Sequence, residues 1–588
     1  MSRVWQESME GEGPAGGAVP EWARDAVWYQ IFPERFRNGA PGSNPRAEDF
    51  RAEGIAGWGV RPWGMEWYAR EKWEEGRAFW DTVFDRRFGG DLVGVREKLG
   101  YLADLGVTAL YLNPVFWAPS LHKYDTRAYQ HVDPSFGPDR EGDLAALAAA
   151  RETEDPATWI WTSADRALLE LVAEVHRRGM RIILDGVFNH CGRELFAFRD
   201  VAAKGRASRY AGWFQLLGER AGGGVDYEAW DGRNGSLPAY ARDGDNLSEG
   251  VKRYLFAATR RWMDPSGQGR PEEGVDGWRL DVAFCVPHGF WREWHALVRS
   301  INPEAYTTGE IVGPAGEWVR EGEFSAAMDY EWLFPTLSFF TPHPEAIGAA
   351  ELRARMERLY ARHSWATIGA MQNLLDSHDT GRILTMLESA CPPFAEWGPY
   401  FSWARVTENP ALRTSAPGAE AKRRLLLAAF WQFAGPGAPM LYYGTEVGLW
   451  GANDPCDRQA MPWADIPMED ETLGFRGALG GRHPRGPDEE LSGAFRKLIA
   501  MRKRERVLRR GGLRWLEGGG DVLAFERFGE GRVATVAIHR GRGEARLPLP
   551  GAPGEETGRV GEAARWDATR NELLLPPLSA TAFARDGD

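Results

Sequence analysis

From residue 27 onward the chain alternates short apolar runs with amphipathic stretches, and this alternation constrains its fold more than any other feature. Runs at 27–32, 107–113, 181–188, 277–282, 306–311, 326–330, 368–375 and 440–443 read as strands, and stretches at 92–105, 165–178, 290–300 and 421–433 carry a helical period. Such alternation builds parallel βαβ units, because a parallel neighbour is reached only through a long crossover. Eight units over roughly 460 residues predict an α/β fold, a (β/α)8 TIM barrel with long inserted loops, in preference to an open doubly wound sheet. After about residue 504 the pattern changes. Runs at 513–516, 522–527, 533–539 and 544–547 with Gly-rich spacers predict a small C-terminal antiparallel β-sandwich. The expected organisation is a disordered polar lead at 1–23, the barrel at 24–504 with an inserted loop domain at about 114–164, and the sandwich at 505–588.

Charge and cysteine content narrow the class of protein. Lys and Arg number 71 against 84 Asp and Glu, a net charge of −13, which argues against nucleic acid as a partner. There is no signal-peptide-like apolar run near the start and no stretch of about 18 apolar residues, so the expectation is a soluble cytoplasmic protein without a membrane span. Cys191, Cys285, Cys391 and Cys456 are far apart and form no CxxC pair, which reads as free thiols. Gly11, Gly13 and Gly16 satisfy GxGxxG, but no strand precedes them and Pro14 interrupts them, so no dinucleotide site is expected there.

Three loops, at about 33–91, 114–164 and 191–274, exceed the usual length, and each follows a candidate strand. In a barrel that places them on the C-terminal face, where active sites of this fold are built. The sequence holds 27 Trp. Trp58, Trp63, Trp67, Trp73 and Trp80 fall in the first of these loops, and Trp159 and Trp161 in the second. Two readings are open: the rings form a small core that stiffens the insertions, or some of them line a site for ring-shaped ligands.

Four segments end apolar strands with polar and ionisable residues: DGVFNH at 185–190, GWRLD at 277–281, GE at 309–310 and DSHD at 376–379. Strand periodicity puts Arg279 and Asp281 on one face, where a guanidinium beside a carboxylate keeps it ionised, as a nucleophile requires. Glu310 closes a strand with few charged neighbours in sequence, a setting that suits a carboxyl to general-acid work. Asp379, beside His378, supplies a third carboxylate. Any one segment read alone fits an ordinary ion pair or helix cap. Four in barrel order point to cleavage through an oxocarbenium-like transition state.

DGVFNH, GWRLDVA, GEI and LLDSHDT resemble the four conserved regions of the α-amylase family, glycoside hydrolase family thirteen. WYQIFPERFRNG, FGGDLVGVREKLGYLADLGVTALYLNPVF, APSLHKYDT, MLYYGTEVG and NDPCDRQAMPW extend the likeness to its cyclomaltodextrinase, neopullulanase and maltogenic amylase branch, over most of residues 24–465. The resemblance implies Asp281 as nucleophile, Glu310 as acid/base and Asp379 as transition-state stabiliser. It further implies that Arg279 orients Asp281, that His190 and His378 bind hydroxyls of the sugar being cleaved, and that Tyr124 stacks beneath it. Asp185 and His122 would support the site, and Asp454 and Arg458 would bind the next sugar towards the non-reducing end. The implied reaction is retaining hydrolysis of α-1,4 links, with α-1,6 as a second linkage, in maltooligosaccharides or cyclodextrin- and pullulan-like glucans. The same residues also serve a transglycosylase on these glucans or on sucrose or trehalose. A non-catalytic sugar-binding barrel is the remote alternative, since all three carboxylates are present.

The departures from the branch are specific. Its N-terminal β-sandwich has no counterpart here, so dimerisation through that domain is not expected. Its MPKLN segment is replaced by LPAY at 237–240, and the Trp that commonly follows the acid Glu is replaced by Val312. The chemistry needs no cofactor. A calcium loop formed by Asn38, Asn44, Gly89 and Asp91 is implied by resemblance, but Ala40 and Asn44 stand where Asp is usual, which weakens such a site.

Overall fold

The computed structural model describes residues 19–220, 224–320 and 322–587. Its centre is an eight-stranded parallel sheet: β1 (Trp28–Ile31), β2 (Ala109–Leu112), β3 (Arg181–Gly186), β4 (Gly277–Leu280), β5 (Tyr306–Gly309), β6 (Ala326–Ala327), β7 (Gln372–Leu374) and β8 (Ala438–Tyr442). Neighbours in the sheet are neighbours in sequence, β1 pairs with β8, and a parallel bridge from Met328 to Gln372 joins β6 to β7 and closes the barrel. The strands are buried along almost their whole length because helices cover the outside of the sheet and side chains fill its inside. The fold is therefore the TIM barrel expected from the alternation.

Local signals explain where elements differ from the expected boundaries. Residues 368–370, expected to open the seventh strand, instead end a helix (Trp365–Ala370) that Ser364 starts by accepting a hydrogen bond from Thr367 N. The sixth strand stops after two residues because Asp329 caps a helix (Tyr330–Phe340), accepting from Trp332 N. The third long loop is not irregular throughout. It contains a helix (Glu249–Met263) whose buried Val251, Tyr254, Leu255, Ala258 and Trp262 recur at helical spacing. Residues 19–23, placed in the polar lead by composition, are ordered: Glu21–Asp25 form a 3-10 turn, and Trp22 Nε1 donates to Glu304 O at 2.9 Å. The rest of that lead, 1–18, lies outside the described residues.

The C-terminal region is two packed antiparallel sheets. Five strands, β9 (Gly512–Trp515), β10 (Val522–Gly529), β11 (Arg532–His539), β13 (Glu555–Val560) and β16 (Ser579–Asp586), run in the order β9-β10-β11-β16-β13. The smaller sheet has β12 (Ala545–Pro548), β14 (Arg565–Asp567) and β15 (Glu572–Leu575), with β15 central. Val522, Ala524 and Phe583 from one and Leu547, Leu573 and Leu575 from the other form its core.

The aromatic loops over the barrel mouth pack mainly on themselves. Trp67 stacks on Phe88 at 11° and lies under the Arg86 guanidinium, which pairs with Glu74 at 2.8 Å. Trp63 Nε1 donates to Met461 O, Trp58 Nε1 to Asp85 O, and Trp80 packs on Phe79, Phe84 and Phe475. Trp161 meets Trp262 edge-on beneath Arg261, and Trp159 Nε1 donates to Thr153 O. None of these seven rings is exposed, so the structure favours a stiffening core over a sugar surface for them.

Candidate active site

The site is assembled at the C-terminal ends of the strands. Parallel register sets Arg279 on β4 beside Asp185 on β3. Arg279 Nη1 donates to Asp185 Oδ1 at 2.8 Å and to Asp281 Oδ1 at 3.0 Å, while Nη2 lies 2.7 Å from Glu310 Oε1, close enough to pair charges without hydrogen-bond alignment. One fully buried guanidinium thus serves three carboxyl groups from three consecutive strands. Val282 N donates to the other Glu310 oxygen at 2.8 Å. The isolation expected for Glu310 from its neighbours in sequence is not what the fold provides, because register brings Arg279 across from the adjacent strand.

The expectation that Arg279 keeps Asp281 ionised meets a larger opposing effect. Burial pushes the Asp281 carboxyl well above the usual range, Glu310 adds to the push, and Arg279 offsets only part of it. Asp185 is raised by burial against the pull of Arg279, and Asp379 is raised to about 8 by burial and Glu310 against Arg458. Like charges so close in low dielectric cannot all ionise, so the cluster retains a proton and titrates as a unit.

Around this cluster the neutral donors are fixed by hydrogen bonds. Asp185 Oδ2 accepts from Tyr111 Oη at 2.6 Å and from Tyr124 Oη at 3.0 Å. Tyr124 Oη also meets His378 Nε2 at 2.5 Å, and its ring lies 14° from parallel with that of His378. The His378 Nδ1 faces Gln30 Nε2 at 2.9 Å, so it accepts, and Nε2 carries the proton toward Tyr124 and Asp379 Oδ2, the latter at 3.1 Å. Burial pushes His378 well below its ordinary range, and His122 and His190 down to about 3. His122 stands behind Tyr124, accepting from its backbone N at 3.1 Å. His190 Nε2 is buried without a hydrogen-bond partner, 3.9 Å from Asp281 Oδ2. On the far side Arg458 links Asp379 Oδ1, at 3.2 Å, to Asp454 Oδ1, at 2.9 Å.

All eleven residues expected at the site therefore converge. Sequence reasoning missed Gln30, Tyr111 and Asn113, which orient the others: Asn113 Nδ2 donates to Tyr124 Oη at 3.1 Å, and Gln30 Nε2 donates to Asn113 Oδ1 at 3.0 Å. Gln30 and Asn113 sit at the ends of the first two strands, so the strand-end signal that singled out the other four segments applies to them as well.

The chain matches the family described as "Alpha amylase, catalytic domain" over residues 30–154 and 163–391. The chain belongs to the α-amylase family. It is 35% identical over 543 residues to neopullulanase 2 of Thermoactinomyces vulgaris, covering 91% of this chain and 72% of that one. It is 33% identical over 574 residues to a cyclomaltodextrinase of Geobacillus thermopakistaniensis, covering 96% and 78%. The ligand-free cyclic α-maltosyl-(1→6)-maltose hydrolase of Arthrobacter globiformis superposes with a TM-score of 0.70 at 28% identity, covering 97% of this chain and 100% of that one. This α-amylase-family protein is thus a glycoside hydrolase.

One feature of the family resemblance looks different in the fold. Asn38, Asn44, Gly89 and Asp91 do gather, but the loop satisfies itself: Asn38 Nδ2 donates to Asn44 Oδ1 at 2.8 Å, and Asp91 accepts from Gly39 N, Ala40 N and Gly94 N. With one carboxylate, itself the cap of the helix Leu92–Glu97, and a single unpartnered amide oxygen on Asn38, these residues do not fit a calcium ion. Among the described residues no helix is long and apolar enough to cross a membrane.

Proposed function

We propose that this chain is a retaining hydrolase of α-1,4 links, and of α-1,6 links as a second linkage, in short α-glucans such as maltooligosaccharides, cyclodextrins and pullulan fragments. One observation carries the reading: the Arg279 guanidinium contacts Asp281 and Glu310 together, at 3.0 and 2.7 Å. Two carboxyls tied to one guanidinium favour the separation of about 5–5.5 Å used for covalent catalysis over the wider spacing that admits a water between them. The names of the relatives, neopullulanase and cyclomaltodextrinase, support the substrate class.

In this mechanism the competent form of the cluster has its proton on Glu310 and its charge on Asp281. An Asp281 oxygen attacks the anomeric carbon as Glu310 protonates the departing glycosidic oxygen, which leaves a glycosyl ester on Asp281. Glu310, now a carboxylate, takes a proton from water as its oxygen attacks the same carbon and the ester bond breaks. Asp379, held between Arg458 and His378, opposes the positive charge of the flattened ring. The His378 Nε2 proton and the free His190 Nε2 are placed for sugar hydroxyls, and the Tyr124 ring for the apolar ring face. Asp454 and Arg458 extend the site beyond Asp379.

The test is proton NMR of maltotetraose hydrolysis, with cyclodextrin and pullulan in parallel. The α-anomer is expected as the first product. A β-anomer appearing first overturns the retaining assignment, and no cleavage of any of the three overturns the substrate class.

A further inference from the structure

The end of β4 departs from the regular ladder, and Glu310 receives the hydrogen bond that the ladder gives up. β4 and β5 pair in parallel, with Leu280 opposite Gly309, and Glu310 N donates to Leu280 O at 2.9 Å. Two residues further on, a continued ladder would aim Val282 N at the main-chain oxygen of Glu310. Instead Val282 N donates to the side-chain oxygen Glu310 Oε2 at 2.8 Å. The chain leaves the sheet at this point because Val282 adopts φ 37° and ψ 48°. That is a left-handed conformation, which a β-branched residue takes only when its surroundings impose it.

Three further contacts impose the turn. Cys285 N donates to Val282 O at 2.8 Å and closes a 3-10 turn over Ala283–Cys285. Ala283 O accepts from Trp291 Nε1 at 2.9 Å, and Trp291 is fully buried on the following helix, His288–Ile301. Cys285 O accepts from Arg242 Nη2 at 2.5 Å. Arg242 is exposed and belongs to a short hairpin, 242–247, in the third long loop. That loop thus reaches the acid indirectly, through the turn that carries Val282.

We propose that Val282 is a positioning residue for the acid/base: its N–H fixes the Glu310 carboxyl, and Arg242 braces the turn that aims it. This rests on the hydrolase reading above. An N–H donated to a carboxyl favours its charged form. The bond therefore helps to set the pH at which the cluster gives up its last proton, besides holding the carboxyl in line. Glu310 is faced by Arg279 and Asp281 on β4, Asp185 on β3, Tyr111 on β2, Tyr330 after β6 and Asp379 after β7, with Cys285 on the turn itself. A change confined to the Val282 N–H leaves all of these side chains in place, so its effect reports on the bond.

Replacing Val282 by its α-hydroxy acid exchanges the N–H for an ester oxygen and keeps the side chain, which tests the bond directly. On maltotetraose, kcat/KM at the pH optimum is expected to fall about 10- to 100-fold. The alkaline limb of its pH profile should move up by about 0.5–1 pH unit, because the charged carboxyl has lost a donor. Arg242→Met should move both in the same direction by less, about 2- to 10-fold in kcat/KM, with little change in melting temperature. A parental pH profile in the ester variant, or a fall in rate with no movement of the limb, overturns the proposal. If the ester variant does not fold, Arg242→Met with parental kcat/KM and an unmoved limb overturns it alone. Failure of the hydrolase reading is distinct, since the parent itself would then leave maltotetraose uncleaved.

Discussion

Gln30 Nε2 lies 2.9 Å from His378 Nδ1, and this contact decides which nitrogen of His378 carries the proton facing the catalytic pocket. A donor at Nδ1 forces the hydrogen onto Nε2, where Tyr124 Oη and Asp379 Oδ2 share it. Gln30→Glu keeps the shape but turns the donor into an acceptor, so the tautomer reverses. It is expected to lower kcat/KM for maltotriose by about 10- to 100-fold, by analogy with the loss of groups that orient a working His. Steady-state kinetics checks this, and parental activity in the variant would contradict the tautomer assignment.

Asp281→Asn removes the proposed nucleophile, and kcat on maltotetraose is expected to fall by about 10⁴-fold or more. Stability should move the other way. Burial and Glu310 raise the Asp281 pKa in the folded chain above its value of about 3.9 when unfolded, so its ionised form opposes folding above about pH 4. The variant should melt about 1–3 °C higher than the parent at pH 7, with the difference vanishing near pH 4. Scanning calorimetry across that range checks the sign.

His131 fastens the second inserted loop to the barrel helix Ser163–Arg177, with Nδ1 2.9 Å from Asp165 and Nε2 2.8 Å from Glu152. Burial pushes its pKa down, but the bonds and charges of the two carboxylates push it further up. A raised folded pKa contributes stability that is complete below about pH 6.5 and is lost as pH rises through the raised value. Both carboxylates are held below their ordinary range, so their share is lost in acid. Amide protection factors in residues 128–165, corrected for the intrinsic exchange rate at each pH, should be highest between about pH 4.5 and 6.5. His131→Gln should flatten that dependence above pH 6.5.

The loop at Asn38–Gly89 is expected to hold without calcium. Chelation with EDTA or addition of millimolar calcium should shift Tm by less than about 1 °C, and Asp91→Ala should lower it through loss of a helix cap worth roughly 0.5–2 kcal/mol, without rescue by calcium. A calcium-dependent rise of about 5 °C or more in the parent would sink this expectation.

Trp67 is 1% exposed and sandwiched between Phe88 and Arg86. Trp67→Ala should destabilise by about 3–5 kcal/mol, as deletion of a buried Trp generally does, and leave KM for maltotriose near the parental value. A large KM change with little loss of stability would return this ring to the sugar-binding reading.

The strand–helix alternation, the polar strand ends and the motif set were legible in the amino-acid sequence because each depends on neighbours a few residues apart. They were enough for the barrel, the sandwich, the family and the eleven residues that meet at the mouth. Glu310 shows where that reach ends. Its sequence neighbours are uncharged, yet parallel register delivers Arg279 from the next strand, and one guanidinium shared by three carboxyls decides how the site holds its proton. The same holds for Gln30 and His378, which are 348 residues apart, and for Arg242 and Cys285, which meet only because the third long loop folds back onto the turn after β4. The seven loop Trp carried two readings in the sequence, and tertiary packing separated them. Burial, register and charge sharing are properties of the closed barrel, not of any local stretch, so only the folded chain determines them.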